Sequence, residues 1–207
     1  MIDMTSLVFK RMASIAILSF SLVGCGNILG LPGGGNAPQI FDLTSHFWGE
    51  TDNADKKVIL LDTISMSDTL KSNLIVVKPS DQEYSFIKDA LWADQLPNLI
   101  EKYLVRQYSG PHYLVAPSDF DLKADYRLRL DVEEFAGIIS GGQVNAVEVT
   151  ITATLLQNTP LEILGRKVFS QRLEAKDIAS DIVSTMNKAM ATITDDISGW
   201  VTGYRIN

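Results

Sequence analysis

Two stretches of alternating side chains, joined through Gly141-Gly142, constrain this chain more than any other feature. In the first, Tyr126, Leu128, Leu130 and Val132 alternate with Arg127, Arg129, Asp131 and Glu133. In the second, Val147, Val149, Ile151, Ala153 and Leu155 alternate with Glu148, Thr150, Thr152 and Thr154. Successive side chains of a strand point to opposite faces, so a period of two marks a strand with one face buried and one wet. Two such strands around a Gly-Gly turn make an antiparallel hairpin, because glycine adopts positive φ at little cost. "NTPLE" (158–162) turns the chain again, and "ILGRKVFSQRLEA" returns as a third strand.

The remaining elements are arranged around this hairpin. Short strands are expected over 40–43, 56–64 and 112–117. Strands over 73–78 and 83–88 flank Pro79-Ser80-Asp81, which has hairpin turn chemistry. Pro97 suits the first turn of a helix after a cap such as Asp94, and Leu96, Ile100, Tyr103 and Leu104 fall on one helical face. Ser109-Gly110-Pro111 stops that helix. A long amphipathic helix over about 177–201 closes the chain, with Ile178, Ile182, Met186, Met190, Ile193, Ile197 and Trp200 as its apolar stripe. The expected fold class is α+β: a mixed, largely antiparallel sheet with a mid-chain helix and a long C-terminal amphipathic helix packed on it. With 207 residues, 46% apolar and 21% charged, the chain has material for one domain and a tether.

The N-terminal residues read as a sorting signal. Lys10 and Arg11 precede an apolar run from Met12 to Val23, too short to span a bilayer but suited to a signal-peptide core. The run ends in Leu22-Val23-Gly24-Cys25, which resembles the lipobox of bacterial lipoproteins. That resemblance implies cleavage between Gly24 and Cys25 and lipidation of Cys25. Several acyl chains on one residue anchor stably where a single chain does not. Gly26 in place of Asp favours the outer membrane over the inner; Met4 is an alternative start. "GNILGLPGGGNAPQ" (26–39) reads as a flexible spacer. The expected organisation is a signal peptide over 1–24, a lipidated Cys and tether over 25–38, and a folded domain over 39–207. Removing 1–24 takes away Asp3, Lys10 and Arg11 and leaves 16 basic against 24 acidic residues, a charge of −8.

That acidity gives no basic stripe for a nucleic-acid partner. Cys25 is the one cysteine, and the two histidines, His46 and His112, lie in unrelated stretches, so no metal cluster or cofactor site is expected. Asp131 with Glu133 and Asp195 with Asp196 are carboxylate pairs on polar faces, where solvated charge is the simpler explanation than acid–base chemistry. Gly33-Gly34-Gly35 lacks the Lys and Ser/Thr of a phosphate loop. Ile139-Ser140-Gly141-Gly142-Gln143 is one letter from the Leu-Ser-Gly-Gly-Gln signature of ABC ATPases, but no Walker A motif accompanies it and strand alternation follows it. Trp200 is expected in the core, Trp92 as an anchor at the start of the first helix, and Trp48 as an exposed contact.

In its ordered blocks the chain resembles the ABC-type transport auxiliary lipoprotein family. "IFDLTS", "LIVVKPSDQEYSFIKDALWADQLPNLIEKYLV", "YRLRLDVEEF", "VEVTITATLLQ" and "RKVFSQRLEA" occur in the family's order, over about 40–202. Trp92, Leu96, Pro97 and Tyr126 fall on family motif positions and are expected to be structural. Lys78 stands where the family often has Arg, which removes a guanidinium from that strand end. The resemblance implies a non-enzymatic component on the periplasmic face of the envelope. It implies an MCE-domain protein of an ABC transporter as partner, movement of lipids or other hydrophobic compounds between the membranes, and a homo-oligomeric ring as one mode of docking. The alternative is an outer-membrane assembly or secretion lipoprotein of similar fold.

Overall fold

The computed structural model describes residues 37–45, 57–108, 113–120 and 122–204. Cys25, Gly24, the tether to residue 36, His46, Trp48 and His112 lie outside them. Residues 37–207 form one compact unit.

The expected hairpin is the centre of the fold. Strand β7 (Tyr126–Ser140) and strand β8 (Gln143–Gln157) pair antiparallel along their whole length. Gly141 and Gly142 make the turn at φ 64° and 83°, the left-handed region that L side chains resist. Leu130, Val147, Val149, Ile151, Ala153 and Leu155 are fully buried, so one set of each alternating pattern forms the core face. After Val132 the register shifts by one residue: Val132 faces Ile151, Glu134 faces Thr150 and Phe135 faces Val149. This β-bulge at Glu133 returns Phe135, 1% exposed, to the core face.

Strand β9 (Glu162–Glu174) pairs antiparallel with β8, completing a meander. The other edge of β7 is shared by three short parallel strands placed end to end. Strand β2 (Lys57–Leu61) pairs at 126–128, β3 (Ser65–Met66) at 131–132 and β4 (Leu74–Ser80) at 137–138. Beyond β2 lies β6 (Tyr113–Pro117), parallel; beyond β4 lies β5 (Glu83–Trp92), antiparallel; and β1 (Gln39–Phe41) runs parallel to the last residues of β5. The sheet is therefore mixed. Its long ladders are antiparallel, with fourteen pairs between β7 and β8 and twelve between β8 and β9, against two to five in each parallel contact.

Two helices cover one face. Helix α1 (Leu96–Tyr108) packs on β6, and α2 (Ala179–Gly203) packs across β8 and β9. They meet where the buried Tyr108 hydroxyl donates to the Thr194 carbonyl at 2.9 Å. The expected faces are present: Leu96, Ile100, Tyr103 and Leu104 on α1, and Ile182, Met186, Met190, Ile193 and Ile197 on α2, are buried.

Four details differ from the sequence reading. The β4–β5 turn is at 81–82, with Pro79 and Ser80 inside β4. Ile178 is not on the buried stripe; it caps α2 in an extended conformation and is 57% exposed. Asp181 does the side-chain work there, its carboxylate accepting the Lys176 N–H at 2.7 Å. Trp200 is half-buried rather than core, edge-on to Phe169 and to Tyr204. At α1, the Gln95 carbonyl starts the helix, while the Asp94 carboxylate accepts the Gln95 N–H at 2.7 Å and the Asn98 amide at 3.0 Å.

Candidate docking surface

The four residues expected to be structural, Trp92, Leu96, Pro97 and Tyr126, separate into two groups. Trp92, Leu96 and Pro97 come together where β5 turns into α1. The Trp92 ring is 2% exposed and meets Phe135 edge-on, with centroids 6.0 Å apart. The backbone is stitched in place on both sides: Trp92 N–H donates to Asn73 O at 2.8 Å, and Ala93 N–H to Phe41 O at 2.7 Å. Leu96 is 1% exposed and Pro97 is half-buried in the first turn. This junction is a packing device that locks β5, β1 and α1 to the centre of β7. Tyr126 is elsewhere, half-buried at the start of β7 and registered with Gln157.

The face of the sheet opposite the helices carries the polar side chains. Lys78 of β4 forms an ion pair and hydrogen bond with Glu134 of β7, both side chains largely covered. The Glu134 carboxylate raises the Lys78 pKa against the opposing effect of burial. The ammonium makes a single-point contact, not the two-point fork of a guanidinium. The second Glu134 oxygen, Oε1, has no hydrogen-bond partner among the described residues. Further along this face, Arg172 pairs with Glu148 at 3.0 Å, and Arg127 and Arg129 converge on Asp62 at 3.4 and 3.3 Å. Glu133, one of the candidate carboxylates, accepts a hydrogen bond from the Thr152 hydroxyl, while Asp195 and Asp196 are exposed on α2. A polar cleft of about 410 Å³ lies between the two hairpin tips, lined by Lys78, Ser80, Asp81, Ser140, Glu148 and Arg172. Its two cations are already engaged by Glu134 and Glu148, which leaves little charge to recruit a ligand. No cluster of three metal-ligating side chains is found among the described residues.

Two of the outer strands, β9 and β5, differ in chemistry. On β9, Lys167 registers with Ala153 on the helix side and its ammonium sits 4.9 Å from the Phe169 ring centre. A charge directed inward on an edge strand opposes pairing with another strand. At Gly165, a Cβ would collide with the Tyr204 hydroxyl, so glycine lets the end of α2 close over this strand. On β5, in contrast, β1 covers only residues 90–92. Among the described residues, no strand pairs with the outer edge of 83–88. Tyr84 and Phe86 lie there 40% and 42% exposed. Phe86 registers with Val76, and the Lys78 ammonium stands 5.5 Å from the Tyr84 ring centre, so both rings occupy the helix-free face. From the sequence β5 is legible as a strand but its open edge is not; the signal for that edge is an acidic residue and two aromatics close together, Glu83, Tyr84 and Phe86.

No helix among the described residues is long and apolar enough to cross a membrane. Comparison with solved structures finds the same fold in a protein of Xanthomonas campestris, with a TM-score of 0.70 at 21% identity over 80% of this chain and 95% of that one. A protein of Chlamydia trachomatis is more distant, with a TM-score of 0.47 at 10% identity over 72% of this chain and 98% of that one. A curated protein of Bradyrhizobium diazoefficiens is 29% identical over 116 residues, 54% of this chain and only 30% of that longer protein. The family model for the ABC-type transport auxiliary lipoprotein component matches residues 44–198, from ahead of β2 to within α2, and the chain belongs to that family.

Proposed function

We propose that this protein is a membrane-anchored auxiliary component of an MCE-type ABC transport system that moves lipids or other hydrophobic compounds between the inner and outer membranes. It acts by docking and assembly on the periplasmic face, not by catalysis. The observation that carries this reading is the family match over 44–198. Leu22-Val23-Gly24-Cys25 supports the anchor: cleavage after Gly24 and acylation of Cys25 hold the domain at the outer membrane. The paired state of the polar side chains fits a surface that recognises a protein rather than one that transforms a substrate. A ring of identical copies is compatible with the same reading.

The test is affinity capture of the full-length lipoprotein from detergent-solubilised envelopes, followed by mass spectrometry. An MCE-domain protein is expected among the captured partners. Capture of secretion-channel or assembly-factor proteins in its place, with undisturbed lipid asymmetry in a deletion strain, would overturn the proposal. Cys25→Ser is expected to abolish incorporation of labelled palmitate; palmitate still entering that variant would refute the lipid anchor.

A further inference from the structure

We propose that the docking contact is made by strand addition along the open edge of β5, residues 83–88, and that its occupant is an extended segment of the docking partner alternating apolar with basic residues. The inference rests on the docking reading above and adds the place and geometry of the contact.

Three observations meet at this edge. An edge strand presents unpaired N–H and C=O groups, and β5 does so between Glu83 and Lys88 because β1 stops pairing at Ala90. Asp89, at φ 55°, breaks the ladder at that point. The sequence preceding β1 is poorly suited to be the missing strand: in a continued parallel register, Pro32, three glycines and Pro38 would fall against 83–89. Proline has no N–H to donate and glycine has no side chain to pack. The second observation is side-chain character. Tyr84 and Phe86 are exposed on one face, two residues apart, which matches the spacing of alternate side chains on an added strand. The third is charge. Within 81–89, Asp81, Glu83 and Asp89 stand against Lys88, and the nearby Lys78 is paired with Glu134, so basic residues on the incoming strand are complementary. Outer strand β9 also pairs on one side alone among the described residues and exposes Ile163 and Val168, but its charge is opposite: Arg166, Lys167 and Arg172 outnumber Glu162 and Glu174, and Lys167 is directed to the helix side.

The envelope capture is repeated with full-length variants. Tyr84→Ser with Phe86→Ser, and separately Glu83→Lys, are expected to lower recovery of the MCE-domain partner by about tenfold or more, as when anchor aromatics leave an interface. Ile163→Ser with Val168→Ser on β9 is expected to leave recovery unchanged. Circular dichroism and membrane levels matching the parent establish that each variant is folded. In the complex, amide hydrogen exchange is expected to slow over 83–88 and not over 162–174. If the parent protein captures no MCE partner, the docking reading fails. If the parent captures it and the β5 variants capture it equally, the strand-addition proposal fails while the docking reading stands. Co-purification of differently tagged copies that is lost in the β5 variants, with partner capture retained, would assign the edge to a second copy and overturn the proposal.

Discussion

Gly141-Gly142 turns β7 into β8, and fourteen registered pairs follow; the turn at 81–82 joins β4 to β5, and only four registered pairs follow, interrupted twice. Both are antiparallel hairpins set by local turn chemistry. In the first, both strands have neighbours on each side and residues such as Leu130, Val149 and Ile151 have no exposed surface. In the second, β4 contributes Ile75, Val76 and Val77 to the core, while on β5 the four residues from Glu83 to Phe86 are all exposed and burial returns only at Ala90 and Trp92. The difference teaches that hairpin formation and hairpin burial are separate outcomes. Burial demands register, since a slip of one residue would exchange the two faces of the strand. Here β4 is flanked by β7 while the outer edge of 83–88 has no strand beside it among the described residues, so one strand of the hairpin is core and the other keeps an edge free for other contacts.

Perturbation can sharpen or break this contrast. The largest effect is expected at Trp92→Ala, where the exposed hairpin is fastened to the buried one: about 3–5 kcal/mol of stability, from the lost ring and the cavity beside Phe135. A loss below about 1 kcal/mol in urea denaturation would show that β5 is not fastened there. Next is Glu134→Gln, which leaves Lys78 without its carboxylate between the two hairpins, at about 1–3 kcal/mol. The pair also has a pH signature. Lys78 has a raised folded pKa, so its contribution is complete below the ordinary lysine range and is lost as pH rises through the raised value. The parent should therefore lose stability at high pH by more than Glu134→Gln does; parallel pH curves would refute the coupling.

Smaller effects follow. Gly142→Ala places a side chain at φ 83° with open space around it, so only backbone strain opposes it, about 1–2 kcal/mol. Tyr84→Ser with Phe86→Ser on the exposed hairpin should change stability by about 0.5 kcal/mol or less for each residue, although partner capture falls. A large thermal shift there would make β5 part of the core and erase the contrast. The smallest readout is local. Lys102, Asn98 and the Gln95 N–H hold the Asp94 carboxyl at about 2. In Lys102→Met, an NMR titration should find that midpoint moved up toward the ordinary carboxylate range.

The buried hairpin was readable because its side chains repeat every two residues and its turn requires glycine. One of its two irregularities is also written in the sequence: the step from Val132 to Phe135 spans three residues rather than two, which is the bulge at Glu133. The stripe of α2 was readable for the same reason, except at its ends. Ile178 has the spacing of a core residue, but it precedes the first helical turn, where spacing no longer fixes direction. The candidate surface was much less legible. Lys78 and Glu134 lie 56 positions apart, so their pairing depends on which strand flanks β7. The open edge of β5 follows from where β1 stops, a property of two distant segments that neither sequence states.

The placement of β2, β3 and β4 along a single edge of β7 has a consequence in time. Residues 57–80 are synthesised well before 126–140, yet among the described residues β2, β3 and β4 are joined into one sheet only through that later strand. Long-range pairings of this kind form only after the intervening chain has closed a large loop. The N-terminal half of the domain therefore waits, unable to complete its sheet, until the central hairpin arrives. A series of C-terminal truncations scored by protease resistance should show little protection before residue 126 and a single step once β7 and β8 are both present.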